Sequence, residues 1–303
     1  MLEEGAASHA GWAFSYSKMW FPSTSLSWST HTYKVMLRVT VRDWVDCRLP
    51  SLARYYRRLR DGKPTALPFE FKFKGSPRTP SGASERETIA VFLQYLEACA
   101  TCIDIGANVG AYSCLARSHG KHVLAFEPLV DNLSYLYDNL LSNDFLDVEV
   151  FPLGLSDTGG LRRLYGSGLN ASVLRGWAGT RGDRFVVVPT GTLDNILGTR
   201  FDGVSLMIKL DVEGFEWQVL RGAEATLSRI PRPSWMVEIL LTEQFPGGVN
   251  GKFYETFEIF WKHGYSARTA DRDQRLVCPR DVERWVSAGT RDFGSYNYLF
   301  LGQ

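Results

Sequence analysis

The segment Asp104-Ile105-Gly106-Ala107-Asn108-Val109-Gly110 follows a short apolar run and sets a carboxylate ahead of two glycines four residues apart. Gly106 permits a tight turn and close backbone approach to a ligand, and Gly110 permits close helix–strand packing. A dinucleotide fingerprint needs G-x-G-x-x-G, so that the backbone can touch a pyrophosphate. Asn108 stands where the middle glycine would be, and a pyrophosphate there is crowded. Asp104 adds a negative charge suited to an ammonium group or its water shell. About 20 positions after such a loop, an acidic residue can accept hydrogen bonds from a ribose diol. Glu127, in Phe126-Glu127-Pro128, occupies that place. Glu127 alone does not choose between nucleoside cofactors.

A second constellation is Lys209-Leu210-Asp211-Val212-Glu213. Period-2 alternation puts Lys209 and Asp211 on one face of a strand, near its C-terminal end. A lysine inside an apolar run needs a partner, and Asp211, or Glu238 in the neighbouring strand, can supply it. Two readings stand together. In one, these groups form a structural ion pair, with Asp211 and Glu213 complementing the positive end of the next helix. In the other, Asp211 or Glu213 is a base or a metal ligand, with Glu238 a second acidic group. Converging carboxylates suit Mg2+, which prefers oxygen ligands, but a metal is not the favoured reading. The histidines are poorly placed: His119 and His122 flank a turn at the far end of a strand, and His263 sits at a helix C-terminus. Cys99 and Cys102 form a lone C-x-x-C without the further thiols or histidines of a metal site.

These groups need elements to hold them. From Ser84 onward, strands and helices alternate. ERETIAVFLQYLEAC reads as a helix capped by Ser84, TCIDIG as a strand and YSCLARSHG as a helix ending at Gly120. HVLAFEP is a strand, VDNLSYLYDNLLSND a helix and VEVFPLGLSD a third strand. Gly159 to Val188 reads as a hairpin insertion. VSLMIKLDVEG is a strand followed by a helix from Phe215 to about Arg229. PSWMVEILL, FYETFEIFWKHGY and YNYLFLG complete the pattern as strand, helix and strand. Apolar strands alternating with helices imply an α/β fold with a doubly wound, mostly parallel sheet, whose ligands sit at the strands' C-terminal ends.

Residues 1–80 read as an irregular, partly helical extension before a main domain at 81–303. Tyr33 to Leu49 has helical periodicity, LARYYRRLRDG a second short helix, and LPFEFKFKG alternates Phe69, Phe71 and Phe73 with charged residues, as a half-buried strand does. Gly75 to Ser84 has linker composition.

The set DIGANVG, AFEP, LSD, TLD and KLDVEGFEWQVLRGA resembles the FkbM family of S-adenosylmethionine-dependent methyltransferases, over about Glu85 to Leu240. The resemblance implies a Rossmann-like class I methyltransferase fold, with Asp104, Gly106, Asn108 and Gly110 as the cofactor loop and Glu127 on the ribose. It places Ser156 and Asp157 near the adenine ring, although a plain turn before Gly159 and Gly160 explains them as well. It also implies O-methylation of a sugar, polyketide or other small metabolite. An NAD-dependent oxidoreductase and a catalytically inactive binding module are the alternatives.

The 303-residue chain has a net charge of +1, so no global field argues for nucleic acid or a membrane. Five cysteines, an odd number with no repeated pairing, fit a reduced, cytoplasmic protein. Met1 to Ser8 lack the features of a signal peptide, and no apolar run of membrane-spanning length occurs.

Overall fold

The computed structural model describes residues 65–66, 71–74 and 83–302. β1 (Thr65–Ala66) and β2 (Lys72–Phe73) pair antiparallel. After α1 (Ala83–Glu97), three parallel strands follow: β3 (Thr101–Ile105), β4 (His122–Phe126) and β5 (Glu149–Phe151). They are joined by α2 (Ala111–Ser118) and α3 (Val130–Ser142). A separate sheet is made by β6 (Gly154–Leu155), β7 (Gly160–Tyr165) and β8 (Phe185–Gly191). The chain returns through α4 (Leu193–Leu197) to β9 (Leu206–Leu210), then α5 (Glu216–Arg221), α6 (Glu224–Leu227) and β10 (Ser234–Glu238). α7 (Phe253–Lys262), β11 (Tyr265–Thr269), β12 (Leu276–Val277), α8 (Pro279–Ala288) and β13 (Asn297–Gly302) complete it.

The main sheet runs β12-β11-β13-β10-β9-β3-β4-β5. Strand order reverses between β3 and β9, which are parallel neighbours with Asp104 opposite Lys209. β13 is antiparallel to both β10 and β11. The expected doubly wound, mostly parallel sheet is therefore present. Its central strands are apolar because both faces are covered. Ile103, Ile105, Ile208 and Trp235 point into one core. Cys102, Ala125, Met207 and Met236 point into the other, under α1, α2 and α3. Asp104 and Lys209 share the parity of Cys102 and Met207, so both project toward the second face.

Several boundaries differ from the sequence reading. VEVFPLGLSD is two strands, not one: β5 belongs to the main sheet and β6 to the small one. Pro152 lies between them and has no N–H for a ladder. The helix after β9 is broken at Gly222, where a Cβ would stand 2.0 Å from the Ser156 carbonyl oxygen. α1 starts at Ala83, so Ser84 lies inside the helix rather than capping it. The hairpin insertion is present as β7 and β8, extending to Gly191. The alternation at 71–74 holds: Phe71 and Phe73 are buried and Lys72 is exposed. Phe69, the two N-terminal helix expectations and most of the Gly75–Ser84 linker lie outside the described residues. Among the described residues, no helix is long and apolar enough to cross a membrane.

Candidate active site

The loop after β3 is pinned at every step. The Gly106 and Ala107 amides both donate to the Phe126 carbonyl, at 3.0 and 2.9 Å. Asn108 adopts φ 53°, and its amide donates to Glu127 Oε2 at 2.9 Å. Gly106 has φ +83°, and an added Cβ would lie 1.8 Å from the Asp211 carbonyl oxygen. The close approach seen there is to the β9 backbone, and Gly106 also lines the cavity. At Gly110, φ +90°, a Cβ would meet Leu136 Cδ1 of α3 at 2.3 Å. This packing is helix against helix, because Gly110 caps α2 beneath α3, and corrects the helix–strand expectation.

Asp104 and Glu127 are buried beside this loop. Ser113 Oγ donates to Asp104 Oδ2 at 2.6 Å. Desolvation pushes Asp104 up to about 6, against the opposing pull of Ser113 and Lys209. Glu127 Oε1 accepts the Leu129 amide at 2.8 Å. Desolvation raises Glu127 to about 7, while bonds from Leu129, Asn108 and the Asn132 side chain pull it down. A carboxylate has about four acceptor positions, so roughly one remains for a ligand hydroxyl.

At the end of β9, Lys209 is 2% exposed. Its Nζ lies 3.2 Å from Asp211 Oδ2 and 5.3 Å from the Tyr112 ring centroid. Burial works against the ammonium, but the charges of Asp211 and Glu238 outweigh it and its pKa is raised. Glu238 is pushed well above the carboxylate range, by desolvation and then by the charge of Asp211, with which it shares a hydrogen bond. Glu213 has φ 56° and is raised to about 8, first by desolvation and then by Asp211.

Glu213 is held by the insertion. Trp177 Nε1 donates to its Oε2 at 2.8 Å, and Ser172 Oγ donates to its backbone carbonyl at 2.6 Å. Gly214 leaves room for the Trp177 ring, 2.5 Å from where a Cβ would be. Glu216, in the first turn of α5, accepts the Val212 and Gly214 amides.

One cavity of about 240 Å3 joins both constellations. Asp104, Gly106, Asn108, Glu127, Lys209, Asp211 and Glu213 all line it. Glu238 stands behind Lys209 and Asp211, outside the lining. Ser156 and Asp157 are also outside it, one step past Gly154 and Leu155. Ser156 is buried and donates to Asp157 Oδ1, which also accepts from Arg162. Asn132 and Trp177 belong to the site through Glu127 and Glu213 and lie outside the sequence expectations. Among the described residues, no three His, Cys, Asp or Glu side chains are grouped to hold a metal ion.

The model of the Methyltransferase FkbM domain matches residues 104–267, more than half of the chain. The chain belongs to the FkbM methyltransferase family. The matched span runs from Asp104 into β11 and includes every site residue above. No curated protein matches this FkbM methyltransferase. Among solved structures, it is similar to a precorrin-6y C5,15-methyltransferase from Geobacter metallireducens, at 13% identity, 75% and 91% coverage of the two chains and a TM-score of 0.41. It is also similar to a ribosomal protein L11 methylase from Lactobacillus delbrueckii, at 8% identity, 73% and 79% coverage and a TM-score of 0.40. A SAM-dependent methyltransferase from Agrobacterium tumefaciens gives 10% identity, 78% and 68% coverage and a TM-score of 0.40. Likeness this distant says nothing about the acceptor.

The site residues fit S-adenosylmethionine. Asn108 Oδ1 is buried, without a hydrogen-bond partner among the described residues, and lines the cavity. A lone buried acceptor is costly unless a donor meets it, and the cofactor's amino acid and ribose ends both carry donors.

Proposed function

We propose that this methyltransferase uses S-adenosylmethionine and methylates a hydroxyl oxygen on a sugar or other small metabolite. The observation that carries the reading is the shared cavity: the cofactor loop with Glu127 on one wall, and Asp211 and Glu213 on another. Bound S-adenosylmethionine supplies an electrophilic methyl group on a sulfonium. Glu127, Asn108 and Asp104 would hold it. An alcohol must lose its proton as its oxygen attacks, and a carboxylate within reach is a suitable acceptor. Asp211 takes that role, beside the Lys209 cation that restrains its geometry. Glu213 and Glu238, with raised pKa values, keep protons close to it. The apolar remainder of the lining, including Phe71, Phe73 and Phe215, excludes water and aligns the reactants. The acceptor is a small molecule or carbohydrate rather than a nucleic acid.

Calorimetry tests the cofactor. S-adenosylhomocysteine is expected to bind and NAD is not, and tight NAD binding would overturn the reading. Glu127→Ala removes a charge-assisted hydrogen bond worth about 1.5–3 kcal/mol, so affinity should fall at least tenfold. Methyl transfer from labelled S-adenosylmethionine to a panel of sugars and hydroxylated metabolites tests the reaction. Labelling confined to nitrogen or carbon would refute the oxygen assignment, and labelling confined to RNA would refute the small-molecule acceptor.

A further inference from the structure

We propose that Asn139 is a positioning residue for the cofactor, and that the strand it holds, residues 71–74, is a wall of the cofactor site. The inference rests on the cofactor reading above. Asn139 lies on α3 and Asn143 caps its C-terminus one helical turn further on, a rise of about 6 Å. Lys72 and Lys74 lie two apart on an extended chain, about 6.6 Å. The repeats match, so each amide side chain meets one backbone unit as a neighbouring strand would. The Lys74 amide donates to Asn139 Oδ1 at 2.6 Å, and Asn139 Nδ2 donates to the Lys74 carbonyl at 2.8 Å. The Lys72 amide donates to Asn143 Oδ1 at 2.7 Å, and Asn143 Nδ2 returns a bond to the Lys72 carbonyl at 2.6 Å.

Asn139 does one thing more. Its Nδ2 also donates to the Val109 carbonyl at 2.8 Å. Val109 sits between Asn108 and Gly110, both at positive φ, in the loop assigned to the cofactor. One fully buried amide therefore ties the loop to the strand. Asparagine is a poor residue for a helix interior, so its use at this position calls for such a bond. The strand in turn presents Phe71 and Phe73, each 4% exposed, to the cavity that Asn108 and Glu127 line. Whatever orders residues 106–110 then also orders residues 71–74.

Hydrogen exchange on the full chain, with and without saturating S-adenosylhomocysteine, tests this directly. The Lys72 and Lys74 amides should exchange at least tenfold more slowly with ligand, because their acceptors are the two asparagine side chains. A merely structural anchor would protect them equally in both states. Asn139→Leu, similar in size but without donor or acceptor, should bind S-adenosylhomocysteine at least tenfold more weakly and lose the ligand-dependent protection. Asn143→Leu spares the Val109 bond and should weaken binding less. If Asn139→Leu does not fold, the wild-type exchange at Lys72 and Lys74 decides. Ligand binding with unchanged exchange at Lys72 and Lys74, or an Asn139→Leu protein that binds normally, overturns this inference alone. Failure of the wild-type protein to bind the ligand overturns it together with the cofactor reading.

Discussion

Asp211 is held between unlike neighbours. Lys209 donates to it, while Glu213 and Glu238 are each raised partly by its charge. Asp211→Asn keeps the shape and removes the charge, and separates two roles. If Asp211 is the base, turnover should fall by about 10²–10⁴-fold with cofactor affinity nearly unchanged. If it serves only to neutralise Lys209, the buried ammonium loses a partner, and stability should fall by about 3–5 kcal/mol. Turnover and melting temperature measured on one preparation distinguish the outcomes. A folded, fully active variant excludes both and shifts attention to Glu213. The Lys209–Asp211 pair was legible because strand parity is a local property. Trp177 was not, because its partner Glu213 is 36 residues away in sequence. Asn132 and Asn139 left a weak signal, polar amides inside a helix whose propensity disfavours them.

At the scale of elements, the glycine loop works by letting β3 and β9 end against each other. Asp211 donates its amide to the Ile105 carbonyl at 3.0 Å, and Gly106 passes under the Asp211 carbonyl. Gly120 provides an internal comparison, since it has φ +74° with nothing within 4 Å of an added Cβ. Gly120→Ala should cost only the left-handed backbone penalty, about 1–2 kcal/mol. Gly106→Ala adds a clash with backbone that cannot rotate away. It should be clearly the more destabilising in denaturant titrations and should weaken S-adenosylhomocysteine binding, whereas Gly120→Ala should bind normally. Equal effects would show that the contact with β9 is soft. The alternation of elements was legible, since apolar strands and amphipathic helices carry their period in the sequence. Their interruptions were less so. The break at Gly222 answers the Ser156 backbone, whereas β11, β12 and α8 lie outside the sequence expectations even though Val282 and Trp285 recur at helical spacing on one buried face of α8.

Across the whole molecule, one cavity and its surroundings concentrate carboxyl groups in protein interior. Asp104, Glu127, Glu216 and Glu213 are raised to about 6, 7, 7 and 8, and desolvation is the leading cause in each. Unfolded carboxyls titrate near pH 4. Between that pH and about 8 the folded protein therefore holds more protons than the unfolded chain, and stability falls as pH rises. The expected melting temperature is highest near pH 5 and declines toward pH 8. Surface groups such as Asp157, held below the usual range by Ser156 and Arg162, act in the opposite sense, and their contribution is lost only in stronger acid. The cofactor reading adds a linked effect. A ribose hydroxyl donating to Glu127 favours the carboxylate and lowers its pKa from about 7. Binding near pH 6.5 should then release protons, and S-adenosylhomocysteine should bind more tightly at pH 7.5 than at pH 6. Calorimetry in two buffers of different ionisation heat measures the release, and Glu127→Gln should abolish most of it. Equal affinities at both pH values, with heats independent of buffer, would show that Glu127 keeps its protonation state on binding and that the ribose is held elsewhere.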